Sequence, residues 1–169
     1  MQIRLLTSAD AILYRALRLE ALQTNPNSFI STFEAEKNKS KSSFESELVG
    51  VYNPPLFGYW GVFDGEFLIA YIQLFKSYLP KQAHIAFLYN LYVDPKYRRK
   101  KIATKLLNHL IKQLKNQTQT ERIFLSCNAK NKEALNFYRK SGFKRCGIKA
   151  KSIKHQGEYD DEIEMVLEL

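Results

Sequence analysis

The segment from Ile85 to Leu107 constrains this chain most. Ile85-Ala-Phe-Leu-Tyr-Asn-Leu-Tyr-Val93 is almost wholly apolar or aromatic, the composition of a central strand covered on both faces. Pro95 has no N–H to give a ladder and ends the strand. Six of the ten residues from Lys96 to Lys105 are then Lys or Arg. After them Ile102, Leu106, Leu107, Leu110, Ile111 and Leu114 recur at helical spacing and predict an amphipathic helix. The first amides of a helix have no intrahelical partner, and the helix dipole makes that end positive. Strand, basic loop and helix start together suit a phosphorylated ligand. For this segment alone, the competing reading is a solvated charge run between two ordinary core elements.

A second segment, residues 121–143, has a similar build. Ile123-Phe124-Leu125 reads as a short buried strand. Asn131 is a suitable N-cap for a helix over Lys132 to Lys140, and Gly142 is placed to end it with a left-handed cap. Ala134, Leu135 and Tyr138 share one face of that helix.

The two segments, in this order, resemble the GNAT acyl-CoA N-acyltransferases. The family signature is Gln/Arg-x-x-Gly-x-Gly/Ala after Val-x-Pro; here Val93-Asp-Pro95 precedes Arg98-Arg-Lys-Lys101-Ile-Ala103. Lys101 departs from the pattern, standing where the family usually has its first glycine. Glycine allows close backbone approach to a pyrophosphate; Lys101 still offers its N–H there if it takes ordinary helical angles. The family's later pattern, Asn-x-x-Ala-x-x-x-Tyr-x-x-x-Gly-Phe, matches at Asn131, Ala134, Tyr138, Gly142 and Phe143.

The resemblance implies an α/β (α+β) fold in one domain over residues 1–169. It implies a mixed, mostly antiparallel sheet of about six to seven strands, flanked by helices, with a splayed parallel pair in the middle. It implies acetyl-CoA as acyl donor and a primary amine as acceptor, reacting directly in a ternary complex. The cofactor-binding residues it implies are Leu91 and Val93 beside the pantetheine, Arg98, Arg99, Lys100, Lys101, Ala103 and Thr104 at the phosphates, and Asn131 and Tyr138 on the later helix. The amide of Leu91 or Tyr92 would meet the oxyanion, and Tyr138 would protonate the leaving thiolate. Homodimers are frequent in the family. Arg15 to Leu22 and Pro26 to Phe29 look like its acceptor-side helices.

The chemistry asks for more than these groups. An alkylamine has a pKa of about 10.4 and must lose a proton before attack. Several family members carry an acid on the central strand, but Tyr89 and Asn90 stand there in this chain. His84 lies at the strand's start. Glu34, Glu36, Asp160, Asp161 and Glu162 are the carboxylates able to approach from loops and the late strand.

The remaining elements follow from pattern. Gln2 to Leu6 reads as a strand. A helix begins at Thr7 or Ser8, with Ile12, Tyr14, Leu17, Leu19 and Leu22 on a broad apolar face and Asn25-Pro26-Asn27 at its end. Residues 31–41 read as a loop, and a helix follows from about Ser42 to Val51. Phe57 to Phe63 and Phe67 to Phe75 are strands joined at Asp64-Gly65. Phe143 to Ile148 and Asp161 to Leu167 are the last strands, joined by a polar connector from Lys149 to Tyr159.

Composition narrows the class. The 169 residues, 45% hydrophobic and 13% aromatic, fit one ordered domain. No apolar run reaches a membrane span and the start has no secretory pattern, so a cytoplasmic protein is expected. Cys127 and Cys146 make no framework and read as buried free thiols; three scattered histidines offer no metal cluster. The net charge of +9 and ten tyrosines raise a nucleic-acid-binding module as a competitor. It fits poorly, because the aromatics fall in core strands and no nucleic-acid motif is present. A catalytically silent CoA-binding domain is the nearer alternative, favoured by Lys101 and the absent strand acid.

Overall fold

The run Ile85–Val93 forms a central strand as predicted, but it is not covered on both faces, since Phe87 and Tyr89 lie on an uncovered part of the sheet. A computed structural model describes residues 1–49 and 56–169. In chain order the strands are β1 (Gln2–Leu5), β2 (Gly58–Asp64), β3 (Phe67–Lys76), β4 (Ile85–Val93), β5 (Arg122–Asn128), β6 (Lys144–His155) and β7 (Glu158–Glu168). The helices are α1 (Ala11–Thr24), α2 (Phe33–Glu36), α3 (Lys41–Val49), α4 (Ile102–Gln117) and α5 (Lys132–Lys140). The sheet order is β1-β2-β3-β4-β5-β7-β6, and β4–β5 is its one parallel pair.

The two faces of the sheet are covered differently. On one, Leu106, Leu107, Leu110 and Leu114 of α4 are fully buried against Ile72, Leu74, Ala86, Ile123 and Leu125. On the other, α1 and α3 bury Tyr14, Leu17, Phe44 and Leu48 against Tyr59, Tyr71 and Tyr92. That second layer covers the β1–β4 half only. Beyond it, Phe75 and Tyr89 stay exposed and Phe87 and Phe124 are half-buried.

Four further expectations need correction. The predicted loop over residues 31–41 contains the short helix α2, whose N-terminus Thr32 caps by accepting the Ala35 N–H at 3.2 Å. The polar connector Lys149–Tyr159 is mostly strand: β6 runs to His155 and turns into β7 through Gln156 and Gly157, both at positive φ, as a two-residue hairpin requires. On α1, Ile12 is 64% exposed while Arg18 is buried, because Arg18 is paired with Glu36. Cys146 is exposed rather than buried, since β6 is an edge strand. The predicted end of α3 at Gly50 and Val51 lies outside the described residues.

The junction of β1 and α1 is held electrostatically. Arg4 binds both oxygens of Asp10, at 2.8 and 2.7 Å, and Asp10 accepts the Thr7 N–H at 2.8 Å, capping the turn that starts α1. The bond from Arg4, against the cost of burial, holds the Asp10 carboxyl below its ordinary value. A lowered folded-state pKa contributes stability above the unfolded value of about 3.9 that is lost as pH falls through the folded one. Asp10→Ala is expected to lower stability by about 1–2 kcal/mol at neutral pH. The difference should shrink below about pH 4, measured by urea unfolding. An unchanged midpoint at pH 7 would show the cap to be idle.

Candidate active site

The site begins where β4 and β5 part. They pair only over Ile85–Phe87 and Arg122–Phe124, and from there toward their C-terminal ends they diverge. Opposite the gap, the register of β3 on β4 shifts between Tyr71 and Gln73, so that Ile72 faces two residues, Asn90 and Leu91. Asn90 takes φ 55° in this bulge, a conformation asparagine tolerates better than most residues. Its side-chain amide donates to Gln73 at 2.9 Å, and its oxygen lies 3.4 Å from Arg18 Nη1. Beyond the bulge the Asp94 N–H bonds Ile69 on β3. Strand alternation then turns the amides of Leu91 and Val93 toward the gap, and that of Tyr92 toward β3.

After β4 the chain makes a short turn at Pro95–Tyr97, closed by Asp94 accepting the Lys96 N–H at 2.8 Å. Arg99 and Lys101 both take positive φ, 63° and 59°. Lys101 therefore does not have ordinary helical angles. It adopts the left-handed conformation that glycine would take there without strain. The first α4 bond runs from the Lys105 N–H to the Lys101 carbonyl. The amides of residues 99–104 have no hydrogen-bond partner among the described residues. A run of free N–H groups about left-handed residues, at the positive end of a 16-residue helix, is an anion nest. None of the six cations from Lys96 to Lys105 forms an ion pair among the described residues.

Two cavities converge here. A cleft of about 360 Å³ is lined by Leu91, Val93, Arg98, Arg99, Lys101, Ala103, Thr104, Asn131 and Tyr138, with Phe29 and Phe137. Of the predicted cofactor residues only Lys100 does not line it; its ammonium lies 4.8 Å from the centre of the Tyr97 ring. Arg98 bonds the Val93 carbonyl at 3.1 Å and Asn25 at 2.8 Å, so it fixes the end of β4 as well as adding charge. A second cleft, of about 740 Å³, opens onto the uncovered half-face of the sheet and includes Arg18, Gln73, Tyr89, Asn90, Lys149, Glu162 and Glu164. Both clefts share Ser28, Phe29, Leu91, Asn131, Ala134 and Tyr138.

The shared wall has a clear local origin. Asn131 caps α5, accepting the Ala134 N–H at 3.0 Å, and its amide donates to Ser28 at 3.0 Å. This ties α5 to the loop after α1. Gly142, at φ 94°, ends α5 as expected. Tyr138 is 9% exposed; burial, with Cys127 beside it, raises its hydroxyl well above the ordinary phenol value. It is protonated at neutral pH. Burial likewise pushes the Cys127 thiol up to about 11, with Glu162 adding to the effect, so Cys127 is no nucleophile.

The candidate bases separate. Burial pushes the Glu36 carboxyl up, but bonds from Arg18 and Ser31 outweigh it and hold it low; Glu36 is committed to Arg18 at 2.9 and 3.1 Å. Glu34 pairs with Lys37 on the surface. Asp160 is engaged by Lys130 and Asn128, and Asp161 accepts the Lys151 N–H at 2.8 Å. His84 lines a different hollow with Thr120 and Glu121, at the opposite end of β4. Glu162 alone of these carboxylates lines the larger cleft. The described residues hold no cluster able to bind a metal ion and no helix long and apolar enough to cross a membrane.

Known proteins share this fold. The chain is 26% identical over 98 residues to the L-amino acid N-acetyltransferase AaaT of Escherichia coli (strain K12), across 58% of this chain and 59% of that protein. The ribosomal-protein-alanine N-acetyltransferase of Brucella melitensis superposes with a TM-score of 0.84 at 19% identity, covering 100% of both chains. A GNAT-family acetyltransferase of Streptococcus pneumoniae gives 0.86 at 18% identity, covering 99% of both. The yncA protein of Salmonella typhimurium, solved with its cofactor acetyl-CoA, gives 0.79 at 15% identity, covering 100% of this chain and 94% of that one. The family model described as Acetyltransferase (GNAT) family matches residues 18–143, from the buried Arg18 to the end of the Tyr138 helix, and this chain belongs to that family.

Proposed function

We propose that this chain is an acetyl-CoA-dependent N-acetyltransferase that acetylates a primary amine by direct attack in a ternary complex. One observation carries the reading: an anion-binding cleft and a separate acceptor-sized cleft meet at Leu91 and Tyr138. The pyrophosphate of acetyl-CoA fits the nest at residues 99–104, where free amides and unpaired cations coincide. The pantetheine arm then lies along β4, with the outward amides of Leu91 and Val93 available to its carbonyls, and the thioester falls at the junction. An amine entering by the larger cleft reaches the carbonyl from the far side. The Leu91 amide is the donor available to the developing oxyanion. Of the two amides expected at first, it is preferred over that of Tyr92, which strand alternation turns toward β3. Tyr138, held protonated by burial, donates to the departing sulfur.

The reading makes two demands on single residues. Lys101 serves through its backbone, so Lys101→Gly should keep acetyl-CoA affinity within a few-fold and stability within about 1 kcal/mol. Lys101→Val, whose branched side chain resists positive φ, should weaken binding about 10-fold or more by calorimetry. Equal affinity in the two variants would show that the left-handed conformation does not matter. Tyr138→Phe removes one hydroxyl and should lower kcat about 10²-fold with acetyl-CoA affinity little changed. Wild-type kcat in that variant, with chemistry shown to be rate-limiting, would reduce Tyr138 to a packing residue. Absence of any heat on titrating acetyl-CoA at low salt would defeat the proposal as a whole.

A further inference from the structure

The larger cleft carries information about its ligand. It has two cations in its walls, and both are already neutralised by the protein. Arg18 is bound bidentately by Glu36, and the Lys149 ammonium lies 3.1 Å from Glu164 and 3.4 Å from Ser126. Glu162 is different. It is 8% exposed, lines the cleft, and has no ion pair or hydrogen bond among the described residues. Its cross-strand neighbours Asn128 and Lys149 face it in the ladder, but Asn128 donates to Asp160 and Lys149 turns to Glu164. Its side chain is largely buried in the cleft wall, and with no partner among the described residues its carboxylate oxygens are available to a cationic ligand in the cleft.

The wall beside it is aromatic. Phe87 and Tyr89 stack with centroids 6.3 Å apart and planes within 11°, and Phe124 stands 6.2 Å from Phe87. Phe29 closes the cleft from the loop after α1. Tyr89 remains 44% exposed. A flat apolar surface of this kind, left uncovered by α1–α3, favours a ligand with an apolar body of ring size.

We propose that the acceptor is a primary amine carried on an apolar, ring-sized body and lacking a carboxylate, with its ammonium seated on Glu162, which removes the proton before attack. This rests on the N-acetyltransferase reading above. A carboxylate on the acceptor would find no unpaired cation among the described residues lining the cleft and would meet Glu162 and Glu164. The amine loses one proton to Glu162, and its lone pair then forms the C–N bond at the thioester carbonyl. As the C–S bond breaks, the second N–H proton is released and the sulfur leaves as a thiol protonated through Tyr138 or solvent. Glu162 returns its proton to water. Ammonium and thioester thus become amide, thiol and one proton.

The test compares 2-phenylethylamine, L-phenylalanine and ethylamine as acceptors with acetyl-CoA, following thiol release. The proposal expects kcat/KM for 2-phenylethylamine to exceed that for ethylamine by about 10-fold or more, and that for L-phenylalanine by about 30-fold or more. Glu162→Gln should lower the 2-phenylethylamine value by about 10²-fold, with Tm not lowered and acetyl-CoA affinity unchanged. Tyr89→Ala, at an exposed position, should narrow the preference over ethylamine. L-phenylalanine as the equal or better acceptor, or full activity in Glu162→Gln, would overturn the proposal while leaving the acetyltransferase reading intact. Acetyl-CoA binding without turnover of any amine would overturn both.

Discussion

Everything in the site depends on the parting of β4 from β5. Two parallel strands that pair for three residues and then diverge leave backbone donors facing a gap, at the level where two clefts meet. The bulge at Asn90 maintains that gap. It survives because Asn90 accepts a positive φ and because its side chain is fastened to Gln73 and approached by Arg18. Arg18 is fixed in turn by Glu36, the last residue of the four-residue helix α2. Breaking one half of a buried pair typically costs about 3–5 kcal/mol. The family match begins at Arg18, whose guanidinium lies 3.4 Å from Asn90 in the bulge.

Charge is distributed with similar economy. The chain carries +9 overall, and several cations away from the nest have a local partner: Arg4 with Asp10, Arg18 with Glu36, Lys130 with Asp160, Lys149 with Glu164. The cations from Lys96 to Lys105 do not. A cluster left unneutralised beside free amides concentrates the field where a polyphosphate would enter. On the β6–β7 hairpin Lys149 pairs with Glu164, and the other lysines on the β6 edge discourage pairing with another chain.

Much of the fold was legible in the sequence because it rests on strong local signals. The apolar run of β4, the leucine stripe of α4, and the Asn131 and Gly142 caps of α5 each specify an element by periodicity or by a special backbone angle. Both strands of the β6–β7 hairpin were legible, but their extensions through Lys149–Tyr159 were not, since a segment exposed on both faces has no alternation to read. Helix α2 was hidden by its polar composition. The sequence also pointed to Tyr138 and the basic loop as chemistry-bearing. It gave no way to choose among five carboxylates, because that choice turns on which of them already has a partner. Ser28 and Phe29 were read only as part of an acceptor-side segment, and the bond from Asn131, more than a hundred residues away, holds that segment beside both clefts. Lys101 shows the reverse case. A motif position occupied by the wrong residue type still holds the backbone conformation of the motif, at the cost of strain that glycine avoids.

The central claim is that a CoA thioester lies between the nest at the start of α4 and the gap beside Leu91. Titrating CoA into isotope-labelled protein and following backbone amide shifts tests it most directly. The account predicts large shifts at residues 99–104 and at Leu91 and Val93, saturating together, with little change at His84 or along β6. Shifts concentrated on the basic β6 edge and absent from Leu91 would mean that the phosphates bind by charge alone, and would contradict it.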